Sequence, residues 1–121
     1  MKRILGIDPG YGRVGWGVIE GGGSAWQYIA HGCIDTDKRF SFAKRLLQIE
    51  SELQKVIKEF APNFSAVEQI FFTKNITTGI DVSQARGVIL LTLAHSKIPI
   101  AELTPTQIKQ ALTGYGNAEK R

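Results

Sequence analysis

The chain has 121 residues, a formal net charge of +4, an apolar fraction of 43% and a single cysteine. That length supports one domain, and the composition excludes collagen-like, low-complexity and intrinsically disordered chains. The lone Cys33 rules out an internal disulfide and points to a reducing cytoplasm; no apolar run is long enough for a membrane span or a secretory signal. The mild positive charge favours polyanions without identifying one.

Ile4 to Ile7 is a short apolar run closed by Asp8-Pro9-Gly10, which reads as a buried strand ending in a turn. Val14 to Ile19 alternates apolar side chains with glycine, a second strand with one face open to close packing. Gly21-Gly22-Gly23 is a loop, and Ala25 to Thr36, with Trp26, Tyr28 and Ile29, is a third strand. These three form an antiparallel meander. Phe42, Leu46, Ile49, Leu53, Val56, Ile57 and Phe60 then recur at helical spacing, with Ser41 placed to cap the start and Pro62 to stop the end.

Phe64 to Val67 is a fourth strand ending at Glu68, followed by a polar-aromatic loop from Phe71 to Thr78. Ser83 to His95 is a second helix, apolar almost all round from Val88 to Leu93, so it is either deeply buried or paired with another subunit. Ile98 to Leu103 is a fifth strand. Thr104-Pro105-Thr106-Gln107 has the cap, first-turn proline and capping-box glutamine that open a third helix, which Gly114 ends. Asn117 to Lys120 looks like one turn of a fourth helix, which is not stable alone. The expectation is a truncated sequence. The order predicts an α/β fold: a five-stranded mixed sheet, in which a three-strand meander joins two parallel strands, with helices on both faces.

Gly10-Tyr11-Gly12-Arg13-Val14-Gly15 matches the dinucleotide fingerprint, but a β-pattern follows where a helix is required. A hairpin using those glycines for turn geometry fits better. A strand, Asp-Gly turn and second strand also open actin-like ATPases, which leaves a nucleotide-binding fragment as an alternative. Against it, the chain lacks a second phosphate loop and a second lobe.

Asp8 and Glu68 each close an apolar strand. Taken singly, Asp8 reads as a turn residue before Pro-Gly and Glu68 as an exposed strand end. If strands one and four are adjacent and parallel, both carboxylates emerge at one carboxyl edge, where ligands gather in open α/β sheets. Two carboxylates there suit Mg²⁺, a hard ion that prefers oxygen ligands. Asp35 and Asp37 end the third strand with nothing to place them at that edge, and Asp81 is set aside because it precedes the buried helix. His31 and His95 lack metal-ligand spacing; His95 suits a helix C-terminus. Cys33 reads as a small apolar filler, and Trp16 and Trp26 as packing residues.

The segments Gly6-Ile7-Asp8-Pro9-Gly10, Ala66-Val67-Glu68-Gln69-Ile70-Phe71 and Gln84-Ala85-Arg86-Gly87-Val88 together resemble the RuvC family of crossover junction endodeoxyribonucleases, the Holliday junction resolvases. Lys74-Asn75, Gln107-Ile108-Lys109-Gln110 and Gly114 to Lys120 match the same pattern in order along the chain. The resemblance implies a ribonuclease H-like nuclease domain over residues 1–121, C-terminally incomplete and without its last helices. It implies a homodimer, formed through the helix over 83–95, that cuts four-way DNA junctions symmetrically with Mg²⁺, or Mn²⁺ in its place, two ions filling an intact site. It implies the branch-migration complex RuvA-RuvB as a partner. Asp8 and Glu68 fall on the first two of four family acidic residues; no residue of this chain corresponds to the other two. The resemblance thus leaves two expectations, a nuclease and a chain that only binds branched DNA.

Phe71 and Phe72 sit beside Lys74 in a loop where an aromatic ring can stack on an unpaired base, worth about 1–3 kcal/mol per base. They can equally tuck under the loop as core. By resemblance Phe71 matches the aromatic inserted near the junction crossover, and Lys109 and Lys120 match basic residues of the family's cleft. Arg86 and Lys74 are further candidates for phosphate contact.

Overall fold

The computed structural model describes residues 2–69 and 76–104, apart from the side chains of 76–78. Five strands form one mixed sheet: β1 (Lys2–Asp8), β2 (Arg13–Gly22), β3 (Ala25–Asp35), β4 (Phe64–Glu68) and β5 (Ile100–Leu103), in the order β3-β2-β1-β4-β5. β1 to β3 pair antiparallel as the expected meander; β4 runs parallel to β1, and β5 parallel to β4. The first strand is therefore central. The turn after Asp8 leads straight into a strand, so the glycine fingerprint lies in a hairpin and has no helix to hold a pyrophosphate.

Helices α1 (Phe42–Phe60) and α2 (Ile76–His95) connect β3 to β4 and β4 to β5. Ser41 caps α1 by accepting from the Lys44 amide, and Ala61 closes the helix in the left-handed conformation just before Pro62. Ile49, Leu53 and Val56 from α1 and Ala85, Ile89 and Leu93 from α2 meet Leu5, Val18 and Val67 of the sheet in one core. Both described helices thus lie on the same face of the sheet. The helix expected from Thr104, and the turn at 117–120, lie outside the described residues.

That alternation also decides what the other face looks like. Gly6, Gly15, Gly17 and Ala66 carry little or no side chain and face away from the helices, leaving a shallow cleft across the middle strands. Gly32 serves the helix side: a Cβ there would come within 2.7 Å of the Trp16 indole, which lies across it and reaches Phe60. Trp16 is packing, as expected; Trp26 is partly exposed, its indole N–H donating to the Gly23 carbonyl at 3.1 Å. Cys33 is exposed on the edge strand and fills no core space, contrary to expectation, because it faces the side without described helices.

α2 corrects the sequence reading in two ways. It begins at Ile76, seven residues before the expected Ser83, and so takes in Thr77, Thr78, Gly79 and Asp81. These are weak helix formers, but once Ala85, Ile89 and Leu93 anchor the helix each further turn adds hydrogen bonds without a new nucleation cost. Asp81 therefore lies inside α2, and its exclusion on the ground that it precedes the helix fails. The apolar circumference also resolves into two unlike faces: Ile89 and Leu93 are fully buried, whereas Ile80 and Leu91 are 48% and 53% exposed. No helix of the described residues is long and apolar enough to cross a membrane.

Candidate metal centre

The central strand places Asp8 at its carboxyl end, on the last rung of the ladder with β2, where it pairs with Gly15. The parallel ladder with β4 runs through Ile7 and Val67, so Glu68 ends its strand directly beside Asp8. Both side chains project to the face opposite the helices, since Leu5 and Ile7 take the helix side and the pleat alternates. The two carboxyls lie near enough for the charge of one to act on the other, and they border an open cleft of about 340 Å³ floored by Gly6, Gly15, Gly17 and Ala66. The predicted pair is thus brought to one edge.

Asp8 is exposed and Glu68 half-buried. Burial pushes the Glu68 carboxyl above its ordinary range, and the negative charge of Asp8 pushes it further. Two carboxylates held this close repel, and a divalent cation between them removes both the repulsion and the cost of desolvation. Hard oxygen donors in an open, partly desolvated cleft fit Mg²⁺ or Mn²⁺ rather than a soft metal. Among the described residues no group of three or more His, Cys, Asp or Glu side chains could hold a metal. The described residues thus offer two clustered carboxylates at this edge.

The raised Glu68 pKa has a consequence for stability. The folded chain binds that proton more tightly than the unfolded chain, so this contribution is complete below the ordinary glutamate pKa and is lost as pH rises through the raised value. Metal-free Glu68→Gln should melt above the wild type at pH near 7, and the gap should close below about 4.3, the ordinary glutamate value. Thermal melts in chelator at both pH values check this; a mutant that melts lower at neutral pH refutes it.

Arg86 supports Glu68 from behind. Its Nε donates to the Glu68 carbonyl at 3.1 Å and its guanidinium pairs with Glu102 on β5, with the side chain only 15% exposed. The sequence nominated Arg86 for phosphate contact; the structure shows its charge already matched and tied to the strand that carries Glu68. Phe71, Lys74, Lys109 and Lys120 lie outside the described residues. Asp35 pairs with Arg13 and Asp37 with Arg39, which occupies both in surface ion pairs.

The family model described as "Crossover junction endodeoxyribonuclease RuvC" matches residues 4–121. A crossover junction endodeoxyribonuclease RuvC of Petrotoga mobilis is 55% identical over 117 residues, covering 97% of this chain and 72% of the relative. One from Thermosipho melanesiensis is 47% identical over 119 residues, covering 98% of this chain and 76% of that relative. The solved structure of T. thermophilus RuvC in complex with Holliday junction substrate superposes with a TM-score of 0.86 at 28% identity, covering 94% of this chain and 70% of that one.

Proposed function

The chain belongs to the RuvC family of crossover junction endodeoxyribonucleases, and from that premise we propose that it resolves four-way DNA junctions in recombination and repair by Mg²⁺-dependent phosphodiester hydrolysis. The observation that carries this reading is the Asp8–Glu68 pair, set side by side at adjacent parallel strand ends over an open cleft. These two carboxylates would be metal ligands, with Mn²⁺ able to substitute. A pair of such ions supplies an activated water and stabilises the leaving oxygen of an in-line displacement.

The chain's own residues do the rest. Asp8 and Glu68 concentrate negative charge where the cation must sit. The glycine floor keeps the cleft open enough for a sugar-phosphate backbone to reach that edge. Phe71 would stack at the junction centre, and Lys74, Lys109 and Lys120 would hold phosphates; these assignments rest on their match to the family motifs. Arg86 is the least supported DNA contact, because Glu102 already offsets its charge.

Residues 1–121 are read as one ribonuclease H-like nuclease domain. The partners proposed are junction DNA, a second copy of the chain and, by family resemblance, the RuvA-RuvB branch-migration complex; a cytoplasmic setting suits the free thiol of Cys33. The self-association is supported by α2, whose outward face exposes Ile80 and Leu91 on either side of Gly87. With no side chain at Gly87, two such helices can approach closely, and an isologous pairing would set two active edges against two strands of one junction.

A second reading, binding without cutting, is favoured by one observation: the described residues supply two clustered carboxylates rather than a full donor set. Incubating the chain with a synthetic four-way junction and Mg²⁺ or Mn²⁺ separates the two. Paired cuts on strands of like polarity are expected for the nuclease; a stable shifted complex with intact strands would leave the binding reading alone standing.

A further inference from the structure

Asp8 stands on the last rung of its ladder, and the four residues that follow it, Pro9 to Gly12, lie between strands and are not held by sheet pairing. Their anchors come from elsewhere. Thr36, 8% exposed just beyond β3, donates its amide to the Gly12 carbonyl at 2.9 Å and its hydroxyl to the Tyr11 carbonyl at 2.8 Å. The same hydroxyl accepts from Arg45 Nε of α1 at 2.9 Å. The Arg45 guanidinium lies 4.9 Å over the Tyr11 ring, and Tyr11 also meets Phe42.

A threonine hydroxyl has one proton to give and room to accept, and here both capacities are used on residues that hold the turn. Arg45, by contrast, pairs with no carboxylate among the described residues. Its side-chain hydrogen bond goes to Thr36 and its guanidinium plane to Tyr11, while its charge also favours the ionised form of Asp37. The directional contacts of this half-buried side chain therefore go to the turn and its anchor rather than to a carboxylate.

We propose that Thr36 and Arg45 form a latch between α1 and the Pro9–Gly12 turn, acting as positioning residues that fix where the Asp8 carboxylate stands for the metal. This rests on the metal-ligand reading of Asp8. The latch spans three elements that the sequence separates: the first turn, the end of β3 and the first turns of α1. It couples the mouth of the site to the hydrophobic core, because α1 is anchored there through Ile49, Leu53 and Val56.

The test is Mn²⁺ binding to the whole chain, followed by electron paramagnetic resonance, with thermal melting and metal-free junction affinity measured alongside. Thr36→Val keeps the branched shape but removes both hydrogen bonds; it should weaken Mn²⁺ binding about 10-fold or more, the range seen when a group that orients a metal ligand is lost. Thr36→Ser keeps the hydroxyl and should restore it. Arg45→Met, which keeps the stem over Tyr11 and leaves Thr36 intact, should weaken Mn²⁺ binding in the same direction and decides the matter if Thr36→Val fails to fold. Junction affinity without metal should be unchanged in the folded variants. A drop in melting temperature is expected of any buried threonine and does not discriminate. Asp8→Asn is the reference. If it weakens Mn²⁺ binding while folded latch variants do not, the latch is wrong and the metal site stands; if Asp8→Asn itself leaves Mn²⁺ binding unchanged, the metal-ligand reading fails and the latch with it.

Discussion

Asp8→Asn should abolish metal-dependent cleavage while leaving the fold and metal-free junction binding in place. The replacement is nearly isosteric and sits on an exposed strand end, so packing is undisturbed. What it removes is one of two adjacent negative charges. Losing a group that only orients a metal ligand costs about 10–100-fold in affinity or activity; a direct ligand should cost more than about 100-fold by that standard. The Glu68 carboxyl should also move back toward its ordinary range, since Asp8 is the second cause of its elevation, leaving burial as the first. Single-turnover cleavage of a four-way junction with Mg²⁺ or Mn²⁺, Mn²⁺ binding, and a gel shift in chelator together check this. If the chain proves to bind without cutting, the Mn²⁺ isotherm carries the same prediction. Retained cleavage or retained Mn²⁺ binding would remove Asp8 from the site.

Leu91→Glu should prevent the self-association proposed through α2 without unfolding the chain. Leu91 is 53% exposed, so the fold loses little, within about 0.5 kcal/mol for an ordinary surface change. In a two-fold interface across α2 the substitution places two like charges near one another and also removes apolar contact from both chains. Like-charge juxtaposition costs several kcal/mol, enough to weaken self-association by about 100-fold or more. Sedimentation equilibrium should show monomer, with far-ultraviolet circular dichroism and melting temperature close to wild type. Junction products should shift from paired symmetric cuts toward single nicks, because one chain then meets one strand. An unaltered dimer would place the interface elsewhere.

Much of this architecture is legible in the residues themselves. Alternation of Val14, Trp16 and Val18 with glycine predicts β2, and the spacing of Ile49, Leu53 and Val56 predicts α1 with its Ser41 cap; both are observed. The start of α2 was not legible, because Thr77, Thr78 and Gly79 favour a loop by local preference and only anchoring of the later turns carries the helix back to Ile76. Cys33 misled for a related reason. Its strand is clear from the sequence, but which face of an edge strand meets a helix depends on where the helices pack.

The candidate site divides along the same line. Asp8 and Glu68 could be nominated from sequence, since each ends an apolar strand and matches a family motif. Their closeness, the raised Glu68 carboxyl and the cleft beneath them require β1 and β4 to be neighbours and parallel. The contribution of Thr36 and Arg45 was invisible beforehand, because a buried hydroxyl and a helix arginine carry no motif; only the contact between α1 and the first turn reveals them.

By itself, then, the sequence determined the order and kind of the elements, the family and the two carboxylates, because these depend on periodicity, turn chemistry and short local motifs. The tertiary structure alone decided which side chains share an edge, which face of α2 stays exposed and where the charge of Arg86 goes. Those depend on strand neighbours and helix placement, which are set by burial across segments far apart in the chain.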